Sequence, residues 1–177
     1  MATEIERKFL VSGEAWRKLA TYREHLRDGL IAMTDDRKVR VRIYEEDERA
    51  TVTIKAKIGG IRDAEFEYDI PIADAEELLA SHCGVNVFSK HRYFVPHRGF
   101  IWHVDVYEGI LDGVTLAEVE VAKEDAPVTL PNWIGQDVTG KPEYKKLNML
   151  RARLRGAAWS ESYIETNGSL GRELPQL

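Results

Sequence analysis

Glu4-Ile5-Glu6-Arg7-Lys8-Phe9-Leu10-Val11 begins with charged side chains at every second position, namely Glu4, Glu6 and Lys8. A β-strand turns successive side chains to opposite faces of its sheet, so residues two apart share a face. Glu4, Glu6 and Lys8 therefore lie together on one side, and mostly apolar residues lie on the other. The stretch predicts a β-strand with one charged face.

The same period of two recurs along most of the chain, whereas helical periodicity is rare. Strands are predicted around residues 38–44, 51–57, 64–70, 101–107 and 116–122, with a shorter run around Lys90 and Arg92. Gly59-Gly60 and Asp112-Gly113 indicate turns between such runs. Helices are predicted at residues 13–25, 74–82 and 143–154. The pattern therefore predicts an α+β fold that is rich in strands.

Length and composition limit the classes that need to be considered. The chain has 177 residues, of which 44% are hydrophobic and 31% charged, and one cysteine, Cys83. We expect one domain over residues 1–156, followed by a polar, loosely ordered tail at residues 157–177. The net charge of −5 argues against nucleic-acid partners, and no apolar run is long enough to span a membrane. The single cysteine suits a reducing compartment, so a cytoplasmic location is expected.

The sorting of charges carries the functional information, because side chains two apart mostly have the same sign. These pairs are Glu4 and Glu6, Arg40 and Arg42, Lys55 and Lys57, Glu65 and Glu67, Lys90 and Arg92, and Glu118 and Glu120. A solvated sheet face usually mixes signs, since like charges repel. Paired carboxylates can hold Mg²⁺ or Mn²⁺, and paired Arg and Lys can hold phosphate. The pattern leaves two interpretations open, namely a metal–polyphosphate site inside a barrel of about eight strands and an antiparallel sheet with one solvated face.

Six motifs resemble, in order, those of the CYTH superfamily, the triphosphate tunnel metalloenzymes. The opening stretch is similar to the ExExK segment of that family. The others are Arg40-Val41-Arg42 (RxR), Thr53-Ile54-Lys55 (TxK), Glu65-Phe66-Glu67 (ExE), Lys90-His91-Arg92 (KxR), and residues 104–109 with 117–120 as the paired closing strands. One ExExK is weak evidence, since acidic strands are common. Six motifs in the correct order make the resemblance specific.

The resemblance implies an eight-stranded antiparallel β-barrel tunnel with a charged interior, flanked by a few helices. It implies Mg²⁺ or Mn²⁺ as cofactor and a triphosphate as substrate. By the same resemblance, the metal ligands are Glu4, Glu6, Glu118 and Glu120. The substrate-binding residues are Lys8, Arg40, Arg42, Lys55, Lys57, Lys90 and Arg92. The catalytic residues are Lys8 and the tunnel-facing acids Glu65, Glu67 and Asp105, which can hold a second metal or orient the attacking water.

Two departures from the family pattern qualify the function. Asp28-Gly29-Leu30 stands where relatives often have Gln-Gly-Tyr, and leucine cannot act as acid or base. A Tyr-x-Asn pattern near the C-terminus is stretched to Tyr144 and Asn148. The leading hypothesis is hydrolysis of inorganic triphosphate to pyrophosphate and phosphate. The alternatives are a class IV adenylate cyclase and a non-catalytic polyphosphate-binding module, and a homodimer is left open.

Other motifs are set aside on chemical grounds. Residues 135–142 nearly spell a P-loop, but Pro142 replaces the hydroxyl residue that should reach Mg²⁺. Cys83 is expected to fill space rather than to act as a nucleophile. The five histidines show no ligand spacing along the chain, which argues against a zinc site.

Overall fold

The computed structural model describes residues 2–34 and 36–156, so the predicted tail at residues 157–177 lies outside the described residues. Its strands are β1 (Ala2–Val11), β2 (Tyr22–Met33), β3 (Arg37–Tyr44), β4 (Arg49–Gly59), β5 (Arg62–Ile70), β6 (Val87–His97), β7 (Phe100–Glu108), β8 (Thr115–Glu120) and β9 (Ile134–Asp137). The helices are α1 (Ile72–Ser81) and α2 (Lys146–Leu154), with short 3₁₀ turns at Ala15–Leu19, Gly109–Leu111 and Pro142–Tyr144.

The sheet closes on itself. Its strand order is β5-β4-β3-β2-β6-β7-β8-β1, and every neighbouring pair is antiparallel. Residues 2–5 of β1 pair with residues 62–65 of β5 and complete the ring. The short strand β9 adds to β1 near Phe9 and Val11. The predicted eight-stranded antiparallel barrel is confirmed, and β9 is an addition that the sequence pattern did not indicate.

The helix predicted over residues 13–25 is wrong. Only Ala15–Leu19 forms a 3₁₀ turn, and the chain enters β2 at Tyr22. Trp16 is fully buried and meets the Tyr93 ring edge-on at 5.0 Å, which anchors the turn on β6. From Tyr22 onward, the backbone pairs with β6 and then also with β3. Tertiary pairing thus overrides the local preference, as it often does for short segments.

The helix predicted at residues 74–82 is present as α1, and the one predicted at 143–154 is split into a 3₁₀ turn and α2. Helix α1 packs on the outside of β2 and β3. Gly29 makes this close approach feasible, because a Cβ there would lie 2.5 Å from Cys83 Sγ and 2.6 Å from Leu79 Cδ2. Cys83 is buried in this cluster, which agrees with its expected role as packing.

The apolar cores lie outside the barrel and at one of its ends. Trp16, Trp102 and Trp133 are buried in the cluster on the outer face of β1, β6, β7 and β8. Inside, Tyr107 and Leu116 continue the inward faces of their strands beyond the charged residues and pack with α2. Helix α2 therefore closes one end of the barrel, and the charged tunnel lies between this plug and the opposite end.

Candidate functional site

Strand register places the predicted residues on one continuous inner surface. Directly opposed residues of neighbouring antiparallel strands share a face. The register opposes Lys8 with Glu118 and Glu6 with Glu120. It likewise brings the inward residues of β3, β4 and β5 into line, and those of β6 with those of β7. All fourteen residues proposed from the sequence therefore face the tunnel: Glu4, Glu6, Lys8, Arg40, Arg42, Lys55, Lys57, Glu65, Glu67, Lys90, Arg92, Asp105, Glu118 and Glu120.

A network of alternating charges crosses β1, β6, β7 and β8. Arg92 donates to both oxygens of Asp105, at 2.7 and 2.8 Å, and to Glu118 at 2.8 Å. Lys8 reaches the other oxygen of Glu118 at 2.9 Å, and Lys90 contacts Asp105. Lys90 and Asp105 have no solvent exposure at all. Five charged side chains are therefore fixed relative to one another in the middle of the tunnel.

The pKa values in this network follow from its neighbours. Burial alone would raise the pKa of Asp105, but Arg92 and Lys90 outweigh it and hold the pKa well below its ordinary value. Glu118 behaves in the same way because of Lys8 and Arg92. Burial would lower the pKa of Lys8, but Glu118 and Glu6 hold it above its ordinary value. Both carboxylates are therefore ionised, and Lys8 remains a cation.

A second buried cluster joins β2, β3 and α2. Arg42 donates two hydrogen bonds to Asp28, at 2.6 and 2.9 Å, and Lys146 reaches the same carboxylate at 3.1 Å. Asp28 is 2% and Arg42 5% exposed. Arg42 and Lys146 hold the pKa of Asp28 well below its ordinary value, against the effect of burial. The plug helix thus supplies a cation to the tunnel.

The third group lies on β1, β4 and β5. Lys55 contacts Glu4 and lies 2.5 Å from Glu65. Thr53 accepts a hydrogen bond from Arg40 at 3.0 Å and donates one to Glu67 at 2.9 Å. A further pair, Lys57 and Asp63 at 2.7 Å, is closer to solvent, because the Lys57 side chain is 46% exposed. This places Lys57 at the rim of the tunnel rather than in its interior.

Two carboxylates have no cation bound to them. Glu6 and Glu120 lie opposite each other, and neither makes a hydrogen bond or ion pair with any other described residue. Burial and the neighbouring Glu118 raise the pKa of Glu6. Glu4 also has a raised pKa because of burial, although Lys55 opposes the shift. Carboxylate oxygens without cationic partners are the donor set that Mg²⁺ and Mn²⁺ prefer, so the residues present fit such an ion.

Unmet donors lie on β3. Lys38 makes no hydrogen bond or ion pair within the described chain, and the Nε of Arg40 is buried without a partner. Burial, together with Lys55, Lys146 and Arg40, lowers the pKa of Lys38 to about 8, while Glu6 acts in the opposite direction. These cations therefore share the tunnel with the uncompensated carboxylates. An anion that also carried a metal would satisfy both.

A cavity lies at the end of the barrel away from α2. Its volume is about 600 Å³, and residues from both faces of β1, β5 and β8 line it. Four of the predicted acids are among them, namely Glu4, Glu65, Glu67 and Glu120.

Several tunnel residues were missed by the sequence analysis. Asp28 and Glu24 lie on β2, which was mistaken for a helix at its start, although Glu24, Leu26, Asp28 and Leu30 do alternate. Lys38 continues the run of Arg40 and Arg42 by one more step of two, a signal that was present in the sequence. His103 also faces the tunnel, and burial together with Arg92 lowers its pKa to about 4. Lys146 could not have been found, because it reaches the site only through the packing of α2.

Comparison with known proteins agrees with this geometry. The CYTH domain family matches residues 2–152. An inorganic triphosphatase from Acetivibrio thermocellus is 39% identical over 154 residues, covering 85% of this chain and 95% of that protein. An inorganic triphosphatase from Nitrosomonas europaea is 33% identical over 147 residues, covering 81% and 93%. A crystal structure of an inorganic triphosphatase superposes with a TM-score of 0.60 at 30% identity, covering 85% and 95%. None of the helices in the described residues is long and apolar enough to cross a membrane.

Proposed function

This chain belongs to the CYTH domain family, and we propose that it hydrolyses inorganic triphosphate to pyrophosphate and phosphate with Mg²⁺ or Mn²⁺. Family membership implies a divalent metal. One observation carries the rest of the proposal. Among the described residues of one tunnel, Glu6 and Glu120 form no hydrogen bond or ion pair, and neither do Lys38 and the Nε of Arg40. A polyphosphate complexed with a divalent cation is the ligand that compensates both sets. The two relatives named as inorganic triphosphatases support this choice of substrate.

We assign the cation to Glu6, Glu120 and Glu4, with Glu118 beside them. Glu118 is already held by Lys8 and Arg92, so its share in binding a metal is smaller than the resemblance implied. A divalent cation neutralises charge on phosphate oxygens and acidifies water in sites of this kind. Because Glu4 and Glu6 have raised pKa values, protons compete with the cation as the pH falls.

The phosphates are assigned to the basic side chains. Lys38 and the Nε of Arg40 offer donors that no group in residues 2–34 or 36–156 accepts. Asp28 orients Arg42, and Asp105 orients Arg92. The guanidinium N–H groups that do not bond these carboxylates are therefore held in fixed directions. Phosphoryl transfer requires positioning and charge neutralisation more than a covalent nucleophile, and preformed donors of this kind provide both.

The roles of the remaining predicted residues follow from their contacts. Asp105 has both oxygens held by Lys90 and Arg92, so we assign it to positioning these two side chains rather than to proton transfer. Glu65 and Glu67 line the cavity between β1, β5 and β8, and we assign them to orienting the attacking water. Lys8 remains protonated and stabilises charge on the phosphates. Leu30 packs against the apolar cluster around α2. Because its side chain is a hydrocarbon, it neither donates nor accepts a proton.

The proposed function is tested by measuring phosphate release from inorganic triphosphate and from ATP with Mg²⁺, Mn²⁺ or EDTA. We expect metal-dependent release that strongly favours inorganic triphosphate and stops in EDTA. Cyclic AMP and pyrophosphate from ATP would identify a cyclase instead. Thermal stabilisation by triphosphate without any release would identify a binding module.

Binding of the substrate should also change the charge of Lys38. Its pKa of about 8 means that this amine is partly neutral at pH 8, and a bound polyanion would favour the protonated form. We therefore expect triphosphate binding in EDTA at pH 8 to take up roughly half a proton more in the wild type than in Lys38→Met. Calorimetry in buffers of different ionisation enthalpy measures this uptake. Lys123→Met, which removes an exposed lysine, is the control, and equal uptake by all three proteins would exclude this role.

A further inference from the structure

A second cluster of ligand-type side chains lies on the outside of the barrel. His25 on β2 and His91 on β6 are directly opposed in register, and Ser89 on β6 is opposed to Glu108 on β7. The neighbours of His91 on either side, Lys90 and Arg92, point into the tunnel, so the histidine points away from it. This cluster, which we call the outer His–Glu cluster (His25, Ser89, His91 and Glu108), is separated from the tunnel by the sheet itself.

The atoms of this cluster converge on one point. The Nε2 of His25 lies 3.2 Å from Oε2 of Glu108, and the Nε2 of His91 lies 3.1 Å from Oε1. The two imidazole rings are 4.7 Å apart at an angle of 36°. One ligand atom from each of the three residues lies within 4.8 Å of the other two. Around Zn²⁺, with bonds of about 2.0–2.2 Å, tetrahedral ligand atoms are roughly 3.3–3.5 Å apart. The spacing therefore suits a metal ion with small side-chain adjustments.

Ser89 and the strands fix the geometry of the cluster. The Ser89 hydroxyl donates to Glu108 at 2.9 Å and lies 2.7 Å from Nε2 of His25. Ser89 thus links the carboxylate of Glu108 to the imidazole of His25. All four residues lie on hydrogen-bonded strands, and sites on such elements are held more accurately than sites on loops.

We propose that the outer His–Glu cluster is a binding site for a transition-metal ion of the Zn²⁺ class. Two imidazole nitrogens and one carboxylate favour Zn²⁺, Co²⁺ or Ni²⁺, whereas Mg²⁺ prefers sites built from oxygen alone. Ser89 or solvent supplies the fourth ligand. The side chains are partly open to solvent, at 29% for His25, 25% for His91 and 42% for Glu108, so an ion can enter.

A bound ion would link β2, β6 and β7 through one side chain from each strand. The inner faces of these strands carry Asp28, Lys90, Arg92 and Asp105, so the ion would tie together the strands that hold the buried cations. An ion bound only by the folded chain stabilises it. The Nδ1 of His91 is buried without a hydrogen-bond partner among the described residues. Because no group in the described part of the chain orients the His91 ring through Nδ1, we expect the affinity for the ion to be about 10- to 100-fold below that of a site with such a hydrogen bond.

Cobalt provides the test, because its visible absorption reports nitrogen ligation independently of any enzymatic activity. Chelator-treated full-length protein is titrated with Co²⁺ in excess Mg²⁺, which competes for the tunnel carboxylates. We expect one equivalent of Co²⁺ to give the intense absorption of a low-coordinate, imidazole-ligated ion and to raise Tm. Both effects should be lost in His25→Gln and in His91→Gln. They should persist in His82→Gln, which changes an exposed histidine after α1.

Further variants separate this site from the proposed function. The Glu4→Gln/Glu6→Gln double variant should keep the cobalt spectrum, and His25→Gln should keep Mg²⁺-dependent phosphate release, which also shows that it is folded. Overturning results are a spectrum that survives both histidine substitutions, a spectrum lost only in the double glutamate variant, or no low-coordinate spectrum in the wild type. These spectra test metal binding at the outer His–Glu cluster whether or not the chain hydrolyses triphosphate.

Discussion

Metal-dependent phosphate release should fall by at least about 1,000-fold when Glu4 and Glu6 are both replaced by glutamine, since the site would lose charge aimed at the reacting phosphates. Glutamine keeps the size of each side chain but removes the negative charge. Glu6 has no cationic partner within the described chain, and Lys55 keeps Glu65 when Glu4 is replaced. The fold should therefore survive the loss of activity.

The same variant makes a signed prediction for stability. The folded-state pKa values of Glu4 and Glu6 are raised, so ionising them in the metal-free protein opposes folding, and this penalty appears as the pH rises above the unfolded value. Glutamine removes the penalty. In EDTA we expect the double variant to have a higher Tm than the wild type at pH 7.5, and the difference to shrink as the pH falls toward about 4.5.

Both effects need a control with the same change of charge. Glu77→Gln/Glu143→Gln removes two exposed carboxylates that make no hydrogen bond or ion pair with other described residues. It should retain activity and show little change in Tm. Full activity in the Glu4→Gln/Glu6→Gln variant would refute the metal assignment. A lower Tm in EDTA would refute the account of the uncompensated carboxylates.

The second large effect is expected at Asp105. Replacing Asp105 by asparagine removes the carboxylate that pairs with both Lys90 and Arg92. Lys90 and Asp105 are fully buried, so water cannot take the place of this carboxylate. Removing one partner of a buried ion pair costs about 3–5 kcal/mol. We expect Asp105→Asn to lower the free energy of unfolding at pH 7 by about that amount, and to reduce activity because the cations lose their orientation.

Urea denaturation measures the loss in the free energy of unfolding, and repeating it at several pH values tests the direction of the Asp105 pKa shift. The folded-state pKa of Asp105 is lowered, so its contribution is present above the unfolded pKa and is lost as the pH falls. The difference in the free energy of unfolding between Asp105→Asn and the wild type should therefore become smaller in acid. Asp69→Asn is the matched control: Asp69 pairs with Arg49 at 3.1 Å but its side chain is 75% exposed, so the loss should stay below about 1 kcal/mol. Equal stability of Asp105→Asn and wild type would contradict the network described above.

The inner surface was predictable because its signal is local. Residues two apart on a strand always lie on the same face. Glu4 could therefore be assigned to the same face as Glu6, and Arg40 to the same face as Arg42, before any strand pairing was known. That the charged faces turn inward was implied by the resemblance to the CYTH superfamily, and the closure of β1 on β5 bears it out.

The rest depended on contacts between distant parts of the chain. Strand β2 was partly assigned as a helix, since only its pairing with β3 and β6 makes it extended, and Glu24 was missed as a consequence. Lys146 enters the tunnel because α2 plugs one end, which no local pattern indicates. The outer His–Glu cluster likewise combines residues from three strands, so the spacing of histidines along the chain carried no signal for it.

Cleavage of inorganic triphosphate in the tunnel can be followed by ³¹P nuclear magnetic resonance. The wild-type protein is mixed with inorganic triphosphate and Mg²⁺, and the phosphorus signals are followed with time. We expect the triphosphate resonances to be replaced by those of pyrophosphate and phosphate in equal molar amounts, and EDTA to stop the change. Unchanged triphosphate in the presence of a protein that it stabilises against heat would show that the tunnel binds triphosphate without cleaving it.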